Sequence, residues 1–199
     1  MSARREAIVA AALDVIQEEG LSGFTQPRVA RRAGLRQSHL TYYFPTRADL
    51  LLAVADEAVR RRIEALRAAV SAEDRAAKVA GLAEVLVDPR QTRILTALTQ
   101  SADTDPEVRR AFSALGAGIA PLGAALITSF GAEPTEASLA LLQATSTGIA
   151  VLALAVGAES VRDRAEQVLT QLLTSLPTEQ DRTGTHPAQR STDPREAPP

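Results

Sequence analysis

"GLRQSHLTYYF", residues Gly34 to Phe44, decides how this chain is read. Arg36, Gln37, Ser38, His39, Thr41, Tyr42 and Tyr43 all carry hydrogen-bonding groups, while only Leu35, Leu40 and Phe44 are apolar anchors. Such a pattern suits a helix of about two turns that rests on a core by one edge and offers a polar front. Pro45 ends it, because the residue before a proline is pushed out of helical geometry. Just upstream, Ala33–Gly34–Leu35 reads as a tight corner between two helices, with Gly34 supplying the permissive backbone. Just downstream, Thr46 is placed to cap the next helix, with Asp49 at its third position.

Working outward, helical periodicity runs through the chain and no segment alternates like a strand. Ile8, Ala11, Ala12, Val15 and Ile16 give the first helix its inner stripe, and Gly20 is a left-handed stop. Thr25 is expected to cap a second helix with Pro27 in its first turn. The third helix spans about 36–43, and six more follow at about 47–69, 72–87, 90–101, from 106 onward, 135–156 and 159–175. The seventh holds Pro121 among Gly116, Gly118 and Gly123, which predicts a kink or break there. The tail from Pro177 is rich in proline and poor in apolar residues, the composition of a disordered segment. The expected architecture is all-α, divided as 1–47, 48–176 and 177–199.

Composition narrows the possible functions. There is no cysteine, and the two histidines are His39 and His186, so thiolate metal sites are excluded and no cofactor is expected. No apolar run approaches the ~20 residues of a membrane span, and the N-terminus lacks a signal-peptide core, which reads as a cytoplasmic protein. The net charge of −2 hides a division: residues 1–47 hold seven arginines against four carboxylates, and the remainder is net acidic. A positive head on a negative body fits an anionic partner held at one end.

A short polar-fronted helix propped across another by a glycine corner is the helix-turn-helix plan, whose second helix enters the DNA major groove. Gln37 can pair with adenine, and Ser38 and His39 can meet base edges. Thr25, Arg28, Thr41, Tyr42, Tyr43 and Arg47 are placed to grip phosphates and fix register. Of the two tyrosines, Tyr43 is taken as the one turned outward. Arg31 and Arg32 are expected to face solvent or to pair with Glu18 or Glu19.

The longer stretch "GFTQPRVARRAGLRQSHLTYYFPTRADLLLAV" resembles the DNA-binding signature of the TetR family of bacterial transcriptional regulators. Thr25, Ala33–Gly34, Leu40, Tyr43–Phe44 and Leu50 match that pattern. Arg36 stands where a capping Ser or Thr is usual, Thr41 where a tyrosine is usual, and Arg47 where a lysine is usual. The resemblance implies helices four to seven as a ligand-binding core and helices eight and nine as a dimer interface. It also implies a repressor, released from a palindromic double-stranded operator by a small effector.

The residues beyond the head support parts of that layout. Ser138–Val156 is apolar nearly all round, so a second subunit is the simplest cover for the side its own core leaves open. Leu141, Gly148, Leu152, Val168 and Leu172 are the expected homodimer contacts. Arg93, Thr96, Thr99, Gln100, Gln143 and Thr147 are candidates to line a largely apolar effector pocket. No paired carboxylates, nucleophile–base set or phosphate-cradling loop points to an enzyme. The competing readings are a helical small-molecule-binding protein that does not act on DNA, or a regulator of this kind with no small effector.

Overall fold

The structure is a computed structural model that describes residues 3–177. Those residues form nine α-helices: α1 Ala3–Gly23, α2 Gln26–Arg32, α3 Gln37–Tyr43, α4 Arg47–Val70, α5 Arg75–Val87, α6 Pro89–Ala102, α7 Pro106–Ser129, α8 Glu136–Val156 and α9 Ala158–Ser175. The all-α expectation holds. The tail predicted to be disordered lies, beyond Pro177, outside the described residues.

Local chemistry accounts for most of the boundaries. Gly20 adopts φ 69°, bending the end of α1 so that Phe24 turns inward. Thr46 and Asp49 form a complete capping box: the Thr46 hydroxyl accepts from the Asp49 amide and the Asp49 carboxylate accepts from the Thr46 amide. Asp74, Asp105 and Thr135 likewise accept amide hydrogens at the starts of α5, α7 and α8.

Two expectations need correction: a break at Pro121, and the absence of a long apolar helix. The helix α7 runs without a break through Pro121. Proline removes one hydrogen bond, to the carbonyl of Ala117, and both residues lie on the exposed side, where the loss costs less than it would in the core. The claim that no helix is apolar enough to span a membrane also fails on length and composition, since α7 and α8 both qualify. In the fold α7 packs along α4, and α8 packs against α9 and α5.

There are two cores. The first joins Ile8, Leu13, Ile16, Phe24, Leu40, Phe44 and Leu50 to Ile94 and Leu98 of α6 and Val108 of α7, so the packing of the head continues past residue 47 into the body. The second gathers Leu66, Leu82, Leu126, Ile127, Ile149, Leu169 and Leu173 from α4, α5, α7, α8 and α9.

At the α5–α6 corner lies a buried cation. The helical partner of the Val85 carbonyl would be the amide of residue 89, but Pro89 has no N–H. Arg62, only 5 % exposed, donates from Nη1 to that carbonyl at 2.7 Å. Burial pushes the Arg62 guanidinium down to about 10, and the charge of Asp88 opposes the shift. Arg62 therefore ties α4 to the corner by satisfying a carbonyl that proline left without a partner.

Candidate nucleic-acid interface

The corner between α2 and α3 fixes the candidate recognition helix. Gly34 takes φ 66°, a left-handed conformation that suits glycine, and the Leu35 amide donates to the Ala30 carbonyl at 2.8 Å. Leu35 packs against the first core. Arg36 occupies the N-cap position, its side chain caps nothing, and α3 begins one residue later than expected, at Gln37.

Leu40 is fully buried and sets the phase of α3. At about 100° per residue, Ser38 and Tyr42 stand opposite it, flanked by His39 and Thr41. Gln37, Ser38 and His39 are all exposed, so the three residues predicted to meet bases share one open front. Tyr42 is 82 % exposed, whereas Tyr43 is half-buried against the first core. This corrects the expectation that Tyr43 turns outward: a helix starting at Gln37 with Leu40 inward places Tyr43 near the buried edge. The two rings meet edge to face with centroids 5.2 Å apart, so Tyr43 supports Tyr42. Thr41 is half-buried, and its hydroxyl donates to the Ser38 carbonyl at 3.1 Å.

Several cations of the head already have partners. Arg28 pairs with Glu19, so a residue expected to grip phosphate is held by a carboxylate in the isolated subunit. Arg32 pairs with Glu18 as expected, and its guanidinium holds the Glu18 carboxyl below its ordinary value. Arg47 is exposed but donates from Nε to the Phe24 carbonyl at 3.0 Å, with its guanidinium 5.2 Å from the Phe24 ring centroid. Thr25 is exposed and stands at the N-cap of α2, yet its side chain makes no capping bond. Of the two amides such a cap serves, at the second and third helical positions, Pro27 removes the first.

Gln26 carries no signal of its role in the sequence. Its Nε2 donates to the Phe44 carbonyl at 2.8 Å, tying the start of α2 to the end of α3. A contact between residues 18 apart leaves no mark in helical periodicity.

The residues predicted for an effector pocket lie on exposed positions of α6 and α8. Arg93, Thr96, Thr99, Gln100, Gln143 and Thr147 are all exposed. Arg93 donates to the Gln17 carbonyl of α1 at 3.2 Å, and the Thr99 hydroxyl bonds to the Leu95 carbonyl within its own helix. Two surface hollows instead follow the seam between α1 and α4, and share Arg5, Ala53 and Asp56; the larger is about 640 Å³.

On α8 the expected dimer residues do lie outward. Leu141 is 49 % and Leu152 39 % exposed, and a Cβ placed on Gly148 would meet nothing within 4 Å. Val151 and Val156 extend this apolar face, and Val168 of α9 is 38 % exposed. Leu172 differs, being half-buried against the second core.

Residues 8–54 match the sequence profile described as bacterial regulatory proteins, tetR family. Over 54 residues the chain is 39 % identical to the HTH-type transcriptional regulator RutR of Escherichia coli K12; this stretch is 27 % of the chain and 26 % of that relative, so only about a quarter of RutR is matched. Along most of its length the fold is similar to that of a transcriptional regulator from Rhodococcus sp. Rha1, with 24 % identity, TM-score 0.74, and coverage of 85 % of this chain and 93 % of that one. The multidrug binding protein EbrR, solved with proflavin, is 26 % identical, with TM-score 0.61 and coverage of 85 % and 99 %. A TetR transcription regulator from Haloarcula marismortui shares the fold at 19 % identity and TM-score 0.75, covering 88 % of this chain and 99 % of that one. The head thus matches the helix-turn-helix profile of the tetR family of bacterial regulatory proteins, and the body continues in a fold shared with solved regulators.

Proposed function

We propose that this protein is a cytoplasmic, homodimeric DNA-binding regulator that represses transcription until a small effector releases it. One observation carries the DNA reading: Gln37, Ser38, His39 and Tyr42 present an unbroken polar front on a helix locked from behind by Leu40 and Phe44. Base edges are read by such side chains in the major groove, while Thr25, Thr41, Tyr42, Tyr43 and Arg47 stay as candidates for phosphate. Arg28 joins them by exchanging Glu19 for a phosphate oxygen.

The apolar face of α8 around Leu141, Gly148 and Leu152 supports a two-fold pairing of subunits. Pairing there presents two heads to successive major grooves of a palindromic site, roughly 34–36 Å apart. The effector part rests on the family, together with EbrR bound to proflavin and a regulator of the same fold from Saccharomonospora viridis bound to choline. The effector we propose is small and largely apolar. It acts by favouring a dimer whose heads are wrongly spaced, and its effect is limited by how differently it binds the two states.

The test is titration of purified protein against duplexes chosen from a random pool. Two-fold symmetric sites and a steep loss of affinity with salt are expected. Absence of any duplex binding in dilute salt would leave the protein as a helical small-molecule binder.

A further inference from the structure

We propose that Arg36 reads a guanine in each half-site, next to the base pair met by Gln37. This rests on the DNA-binding reading above and adds a specificity residue to it.

Arg36 has been released from the usual duty of its position. A Ser, Thr, Asp or Asn at an N-cap folds back to accept an amide hydrogen. Arginine has only donors and cannot do so, and its side chain here is exposed and makes no cap bond. Its neighbours differ in their electrostatics: Arg28 and Arg32 are held by Glu19 and Glu18, and Arg47 by the Phe24 carbonyl. Among the described residues no carboxylate pairs with Arg36.

Its point of origin is also fixed. Leu35 is held by the hydrogen bond its amide donates to the Ala30 carbonyl and by packing on the core, so the Arg36 backbone enters α3 from a rigid corner. The backbone at Arg36 is extended, with φ −74° and ψ 148°. The side chain therefore leaves from the N-terminal end of the recognition helix, the end that faces base edges in this motif. A guanidinium there matches the O6 and N7 acceptors of guanine with two parallel hydrogen bonds. Arg31 is also exposed but lies on α2, away from the start of the recognition helix.

The experiment is selection of bound duplexes from a random pool by the full chain and by its Arg36→Ala and Arg36→Lys variants, followed by affinity measurements across salt concentrations. The native chain should select a guanine at one fixed position in each half-site. Arg36→Ala should lose that preference while keeping the rest of the site, with affinity for the best sequence falling about 10-fold to 100-fold. Arg36→Lys should keep part of the guanine preference. The proposal is overturned if the guanine survives in Arg36→Ala, or if that variant weakens all duplexes equally and lowers the salt slope by about one, which marks a phosphate contact. Failure of the native chain to bind any duplex is a different result, and removes the DNA reading together with this one.

Discussion

The helices α3 and α8 each leave one face uncovered, and the two faces are opposite in kind. On α3 the open side is Gln37, Ser38, His39 and Tyr42, groups that water satisfies until something else does. On α8 it is Leu141, Val151, Leu152 and Val156, flanking an open Gly148, and water has nothing to offer them. The polar face is stable alone and gains specificity from a partner. The apolar face is costly alone, at about 25 cal/mol for each Å² exposed, and gains stability from one. A body that pairs tightly and a head that binds reversibly are what this contrast leads one to expect.

The most drastic way to break the comparison is on α8. Replacing Leu152 with Glu, or Gly148 with Arg, should give monomers in sedimentation, since neither position is needed by the subunit's own packing. Losing the second head should then lower operator affinity by about 10²-fold to 10⁴-fold, the usual contribution of a linked second contact. Dimers that persist in both variants would move the interface elsewhere.

Next in size is the back of α3. Leu40→Ala should lower stability by about 2–5 kcal/mol in chemical denaturation, because it empties a fully buried site in the first core. The same change at exposed Leu141 should leave the stability of the isolated subunit nearly unaltered, which sharpens the difference between a buried anchor and an uncovered face.

On the front of α3, Gln37→Ala should relax preference at one base pair by about 1–3 kcal/mol without altering the melting temperature. Arg47→Ala should behave otherwise. It should weaken binding to all sequences alike and also lower the melting temperature, since Arg47 holds the Phe24 carbonyl.

The smallest expected effect lies in the clasp between α1 and α2. Arg32 keeps Glu18 ionised below its ordinary value of 4.5, so the pair's contribution is present above that pH and is lost as pH falls through the lowered value. Melting curves of the native chain and Glu18→Gln should differ slightly at neutral pH and converge in acid. Both groups are largely in water, so the difference should be modest.

Signals confined to a few neighbouring residues are legible in the sequence. Gly34, Pro45, the Thr46–Asp49 box and the stripe around Ile8 and Ile16 each act within about four positions, and each appears in the structure as expected. Geometry that depends on helical phase or on distant partners is not legible in this way. Tyr42 and Tyr43 exchange roles because one residue shifts a helical direction by about 100°. Arg28 is engaged by Glu19, nine positions away across a bend, and Arg93 by a carbonyl 76 positions away. Pro121 breaks nothing because it lies on the wet side of α7, which its neighbours in sequence do not reveal. The polar residues expected to line a pocket are exposed on their helices, a matter of phase that their chemistry does not reveal.

The two bonds that close the head, Gln26 to the Phe44 carbonyl and Arg47 to the Phe24 carbonyl, have a mechanical result. They weld α2 and α3 to the base of α4, which has 24 residues and is therefore a rod about 36 Å long. A rod that size magnifies: a tilt of about 5° displaces its tip by about 3 Å, close to the rise of one base pair. Under the proposed mechanism, small adjustments among the apolar side chains at the far end would reach the groove as a slip of one rung.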